Sequence, residues 1–190
     1  MGEKRQARQG ADVLLQEEPL RFQTRKQVGL LGGNFNPVHL AHLVMADQVQ
    51  NQLGLDKVYL MPTYLPPHVD EKKTISSEHR LAMLELAVAD NPCLDIEPIE
   101  LIRKGKSYTY DTMKALKEVN PDTDYYFIIG GDMVEYLPKW HRIDDLLHLV
   151  QFVGIRRPNY PTESTYPIIW VDVPQMAISS TLIRQKVKSG

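Results

Sequence analysis

The sequence predicts an α/β protein built on an open, doubly wound parallel sheet, and three observations carry that prediction. From Val28 onward, short apolar runs of strand character alternate with segments of helical apolar spacing. Strands that alternate with helices pair in parallel through right-handed crossovers. Glycines and polar clusters follow the strand ends, at Gly32-Gly33 and Gly130-Gly131-Asp132, which is where open sheets of this kind bind ligands.

The elements follow in order. VGLL at 28–31 reads as a buried parallel strand ending in Gly32-Gly33. Leu40, Leu43, Val44 and Leu53 fall at helical spacing, and Gly54 is placed to close that helix. KVYLM at 57–61 is a second strand cut off by Pro62, and Pro66-Pro67-His68 belongs to a loop. Ser76 or Ser77 caps a helix to about Asp90, with Leu81, Leu84 and Val88 on one face. LDIE at 94–97 is a strand and 110–119 a helix stopped by Asn120-Pro121; His79, His141 and His148 fall in segments read as helical. YYFIIG at 125–130 is the strongest strand, rich in aromatic and β-branched residues. QFVGI at 151–155, IIWVD at 168–172 and a helix from about Ser180 complete the pattern.

Composition narrows the function classes. The 22 basic and 24 acidic residues give a net charge of −2, against a protein whose main partner is duplex DNA. Residues 1–27 carry six basic and four acidic side chains and are expected to be a flexible extension, leaving 28–190 as one domain. No apolar stretch approaches the length of a membrane span or signal peptide, so the expected location is the cytoplasm. Cys93 is the single cysteine and cannot form an internal disulfide; it reads as a small apolar residue.

GGNFNPVHLAH, from Gly32 to His42, carries the sharpest chemistry. Two glycines let the backbone turn and approach a ligand. Asn36 is expected as N-cap with Pro37 at the first helical position, and His39 and His42 lie three apart on one helix face. A helix N-terminus attracts anions, and two imidazoles beside it can hydrogen-bond phosphate oxygens. Against this stand a plain tight turn with structural histidines, or a metal site for which no third ligand is evident. ISSTLIR, at 178–184, places three hydroxyls at a helix start and Arg184 about one turn on. That is either a capped surface helix or a second anion cradle. A reacting triphosphate needs two such cradles.

GGNFNPVHLAH and ISSTLIR resemble the paired signatures of nucleotidyltransferases related to class I aminoacyl-tRNA synthetases. The likeness extends through PPH at 66–68, SYTYDT at 107–112, IIGGDM at 128–133 and LPKW at 137–140. The combination looks like the nicotinate mononucleotide adenylyltransferase family. The resemblance implies a Rossmann-like nucleotidyltransferase fold and adenylyl transfer from ATP to nicotinate mononucleotide, giving deamido-NAD and pyrophosphate. Two alternatives are a pantetheine-phosphate adenylyltransferase-like enzyme and a non-catalytic module that senses ATP or NAD. Ala41 and Gly131 depart from the family's glycine and alanine by one methyl each, and activity is expected to survive both.

The resemblance also implies roles. His39 and His42 would be catalytic, on the α-phosphate of ATP. Ser179, Ser180, Thr181 and Arg184 would take the β- and γ-phosphates. Gly32, Gly33, Asn34, Phe35 and Gly130 would line the nucleotide, and Asp132 would meet its ribose or lie near magnesium. Mg2+ is expected with ATP, through the phosphates, without a dedicated protein cage. Trp140 would stack on the nicotinate ring, with Tyr108 and Thr109 on the ring carboxylate and His68 near the mononucleotide. From local sequence alone a structural reading of Trp140, Tyr108 and Thr109 is equally ordinary, and a solvated loop histidine is the more frequent reading of His68. Neither nucleic acid nor membrane is expected as a partner, and a homodimer is consistent with the family.

Overall fold

The computed structural model describes residues 25–67, 74–157, 160 and 162–190. His68 and residues 1–24 lie outside the described residues. Six strands form one sheet: β1 (Lys26–Gly33), β2 (Lys57–Pro62), β3 (Leu94–Ile96), β4 (Thr123–Gly130), β5 (Val150–Ile155) and β6 (Ile168–Val171). Their order is β3-β2-β1-β4-β5-β6, and every pairing is parallel. The chain builds outward from β1 in one direction and then reverses through β4, so the doubly wound α/β expectation holds.

The strands read as continuous apolar runs because successive side chains enter two different cores. Leu30, Phe127 and Phe152 join Met113, Leu116 and Leu146 on one face. Their neighbours Leu31, Ile128 and Val153 join Ala46, Val49 and Leu84 on the other. The second face is covered by α1 (Leu40–Leu53) and α2 (Ser77–Val88), and the first by α4 (Thr109–Val119) and α6 (Ile143–Leu146). The remaining helices are α3 (Ile99–Arg103), α5 (Gly131–Val134) and α7 (Ser180–Ser189), with a 3-10 turn at Leu137–Lys139. Among the described residues no helix is long and apolar enough to cross a membrane.

Several local expectations are corrected. β1 begins at Lys26, so Lys26 and Gln27 belong to the strand rather than to the extension. α1 begins at Leu40 with His39 as N-cap, not at Asn36-Pro37. The carbonyls of Asn36 and Pro37 accept from Arg184 and Ser180, so they are not free to start a helical ladder. Leu40 is 54% exposed and drops out of the expected stripe, whereas Leu43 and Leu53 pack against the same core as the buried Ala46 and Val49. His141 and His148 lie in turns, whereas His79 is in α2. Gly54 closes α1 in the left-handed conformation, and Ser76 caps α2, its hydroxyl accepting from the His79 amide, both as expected.

β5 packs so closely on β6 that Gly154 has no room for a side chain. A Cβ there would lie 2.7 Å from Trp170 Cζ3 and 2.9 Å from Ile168 Cγ2. Gly154→Ala is expected to cost about 1–3 kcal/mol through overpacking, read as a lower midpoint in urea unfolding. An unchanged midpoint would mean that β6 yields freely.

Candidate active site

Because the helices return antiparallel to a parallel sheet, the N-termini of α1, α4 and α7 come to its carboxyl edge. β1 ends there at Gly33 and β4 at Gly130. Gly32 and Gly33 complete β1, and Thr63 N–H donates to Gly33 O at 2.9 Å. A Cβ at Gly33 would stand 2.9–3.2 Å from the Phe35 ring, so this glycine allows Phe35 to fold back over the strand end. Phe35 is 2% exposed, has φ of 46°, and meets His42 edge-on with centroids 5.0 Å apart.

His39 and His42 stack with ring centroids 3.7 Å apart and planes 26° from parallel. The His39 backbone N–H donates to His42 Nδ1 at 3.2 Å. Since Nδ1 accepts, a neutral His42 carries its proton on Nε2 and keeps that N–H as a donor. Burial, then the neighbouring His39, then the Arg157 cation push the His42 pKa down to about 3. Burial also lowers His39, whose Nδ1 is buried with no protein partner. Near neutral pH the pair is therefore two uncharged imidazoles, able to donate hydrogen bonds without carrying a buried charge.

The two signature segments meet directly. Arg184 Nη1 donates to Asn36 O, and the Ser180 hydroxyl donates to Pro37 O at 2.7 Å. Arg184 Nη2 donates to Thr181 Oγ1 at 3.1 Å, and Ser179 caps α7 by accepting from Leu182 N at 3.2 Å. The Ser180 hydroxyl and the Arg184 guanidinium, both expected on phosphates, thus clamp α7 to the turn leading into α1. The His42 amide donates to His39 O and the Leu182 amide to Ser179 Oγ, leaving the first two amides of each helix without intrahelical acceptors.

Asp132, in α5, ion-pairs with Arg157 across 3.4 Å, while its Oδ1 is buried and makes no hydrogen bond. Arg157 follows the end of β5 by two residues and was missed in the sequence; the strand-end rule that singled out Asp132 would have found it. Gly131 is buried, and a Cβ there would lie 2.8 Å from Ile155 O. The glycine at this position thus goes with a closer approach of α5 to the end of β5 than an alanine would allow.

A second cluster gathers around the N-terminus of α4. Tyr108 is its N-cap and Thr109 its first residue. Ser107 ties them to the end of β2: its N–H donates to Leu65 O at 2.9 Å and its hydroxyl accepts from Tyr64 N at 3.1 Å. Below them the Thr112 hydroxyl lies 3.1 Å from Glu100 Oε1 and 3.3 Å from Tyr108 O. Burial raises the pKa of Glu100. The Tyr108 ring lies 4.7 Å from that of His141, the neighbour of Trp140. Trp140 is half-buried and meets Phe127 and Phe152 edge to face, each at 5.9 Å, with a buried Nε1 that has no partner. It is a packed tryptophan, and that packing fixes its ring. Among the described residues no three His, Cys, Asp or Glu side chains cluster as a metal site would require.

The low His42 pKa has a consequence for stability. An unfolded histidine titrates near 6.5, so between that pH and about 3 the unfolded chain binds the extra proton. Stability is complete above pH 6.5 and drains away as pH falls. His42→Asn removes the titration, and its stability should fall less steeply below pH 6.5, by about 1 kcal/mol per pH unit. Urea unfolding at a series of pH values measures the slopes, and parallel curves for the two proteins would refute a depressed His42.

A cytidylyltransferase-like family model matches residues 30–186. A protein of Streptococcus pneumoniae serotype 4 named probable nicotinate-nucleotide adenylyltransferase is 64% identical over 174 residues, covering 92% of this chain and 83% of its own. A Streptococcus mutans protein of the same name matches to the same extent. The solved nicotinic acid mononucleotide adenylyltransferase of Plasmodium falciparum complexed with NaAD superposes with a TM-score of 0.69 over 85% of this chain and 83% of its own. Its 19% identity makes that a likeness of fold alone. The chain belongs to the nicotinate-nucleotide adenylyltransferases of the cytidylyltransferase-like family.

Proposed function

We propose that this chain transfers the adenylyl group of ATP to nicotinate mononucleotide, forming deamido-NAD and releasing pyrophosphate, as a cytoplasmic step of NAD synthesis. The observation that carries the reading is the clamp of Arg184 and Ser180 on the carbonyls of Asn36 and Pro37. It sets two helix N-termini beside the stacked imidazoles, as one cradle for the reacting phosphate and one for the departing pyrophosphate.

The attacking mononucleotide phosphate is already ionised at neutral pH, so no general base is needed. The work is positioning and stabilisation of charge on the transferring group. In this reading His39 and His42 donate to α-phosphate oxygens, where uncharged N–H donors strengthen as charge develops. Thr181, Arg184 and the first amides of α7 take the β- and γ-phosphates. Gly32 and Gly33 line the nucleotide with Asn34 and Gly130; Phe35, expected beside them, is instead buried in the core beneath. Arg157, kept beside the site by Asp132, adds positive potential for an incoming phosphate. The α4 N-terminus takes the nicotinate carboxylate through the Thr109 amide, the Tyr108 amide already donating to Lys106 O at 3.1 Å, and Trp140 offers its ring to the pyridine. Magnesium, when bound with ATP, neutralises charge on the phosphate oxygens. The donor set fits such a phosphate-borne ion, because Asp132 supplies a hard carboxylate: its Oδ1 is buried against Arg157, and its other oxygen could hold the ion's outer waters.

Purified protein should release pyrophosphate only with ATP, magnesium and nicotinate mononucleotide together, and nicotinamide or pantetheine phosphate acceptors should be poorer. Binding of both substrates without dinucleotide formation would overturn the proposal. His39→Ala and His42→Ala should each lower kcat by about 10²–10³-fold, as removal of one oxyanion donor does. Near wild-type turnover would remove that histidine from the mechanism.

A further inference from the structure

Arg80, in the first turn of α2, is 2% exposed, an unusual place for a guanidinium. Its Nη1 lies 2.8 Å from Thr63 O, 3.0 Å from Asn34 O and 3.3 Å from Asn34 Oδ1. Nε is buried with no partner, and among the described residues no carboxylate pairs with this cation. Burial lowers its pKa. A buried charge without a counter-charge is costly, and packing alone at this position would be served by an apolar side chain. What the guanidinium supplies is donors to two loops that leave adjacent strands at the sheet's carboxyl edge.

The Asn34 carbonyl matters most. A trans peptide is planar, with its C=O and N–H on opposite sides. Holding Asn34 O toward Arg80 therefore fixes the direction of the Phe35 N–H, within the turn that carries the histidines. The next side chain, Phe35, lies over Gly33 and against the edge of His42. Asn34 Nδ2 meanwhile donates to Thr74 Oγ1 at 3.2 Å, so Asn34 is gripped through both backbone and side chain.

We infer that Arg80 is a positioning residue of the adenylyl-transfer site: by holding Asn34 O and Thr63 O it sets the peptide plane before Phe35 and, through the Phe35 ring, the seat of His42. The inference rests on the proposed function for its kinetic consequence but not for its structural one.

The test compares wild type with Arg80→Met, which keeps the apolar stem, and Arg80→Lys, which keeps the charge without the planar fork. Steady-state kinetics are read beside the His39 and His42 ring-proton resonances and the urea midpoint. Arg80→Met should lower kcat by about 10²-fold, the scale of a misplacement near 1 Å, while KM for nicotinate mononucleotide changes less than about threefold. Its histidine resonances should shift, and Arg80→Lys should recover about tenfold in kcat. A folded Arg80→Met with wild-type kcat and unmoved resonances overturns the inference. So does a loss of activity that only follows the folded fraction and that lysine does not rescue. Should Arg80→Met not fold, Arg80→Lys decides: lowered kcat with shifted histidine resonances supports positioning, and wild-type values of both reject it. A wild type that makes no dinucleotide overturns the proposed function, and the resonances then judge Arg80 alone.

Discussion

The turn from Gly33 to His39 leaves the sheet without a ladder to satisfy its backbone, and the site depends on how its carbonyls are held. Gly33 O accepts from Thr63 N, Asn34 O from Arg80, Asn36 O from Arg184, Pro37 O from Ser180 and His39 O from His42 N. Buried carbonyls need such partners. Here they come from the end of β2 and from α2, α7 and α1, so satisfying one short turn draws four elements together. At Gly33, Asn34, Pro37 and His39 the trans peptide sends its N–H opposite to its C=O, so gripping these carbonyls from within the protein directs the following amides away from those grips; Asn36 O belongs to the cis Asn36-Pro37 bond, which has no N–H. The irregular turn is thereby held by acceptor satisfaction rather than by regular structure.

The electrostatics follow from the same arrangement. A net charge of −2 is no obstacle to anion binding when the donors are local. Helix ends carry partial positive charge without ionisable groups, and the two imidazoles are uncharged near neutral pH. Arg157 does two things at once. Its charge helps hold the His42 pKa low, and its ion pair with Asp132 keeps the guanidinium at the carboxyl edge. A neutral His42 with its Nδ1 already occupied presents one defined donor, where a protonated imidazole would repel Arg157.

The sheet was legible in the sequence because parallel strands covered on both faces leave uninterrupted apolar runs; Leu30 with Leu31 and Phe127 with Ile128 are read as one signal although they enter different cores. The start of α1 was misjudged because Asn36-Pro37 is a strong local cap pattern, and nothing local reveals that α7 claims both carbonyls. The four-residue helices Gly131–Val134 and Ile143–Leu146 are too short to show a period. The two signature segments stood out by residue type and spacing. Their direct contact did not, since it depends on how the last helix packs across the sheet. Arg80 left no trace, for an arginine one turn into a helix reads the same whether it faces water or two buried carbonyls.

The remaining question is how one helix can both clamp the turn and meet a ligand. Arg184 spends one Nη1 hydrogen bond on Asn36 O and one Nη2 hydrogen bond on Thr181. A guanidinium has five N–H groups in a rigid plane, so others remain while the plane itself is immobilised. A lysine in its place could satisfy the carbonyl only by committing its single charged centre there. Ser180 is different, because its hydroxyl has one hydrogen and has given it to Pro37 O; toward a phosphate it offers its backbone amide instead. In the proposed reaction the clamp and the cradle are therefore the same atoms' neighbours: the bonds that dock α7 are what bring its charge and its free amides within reach of the turn bearing His39 and His42.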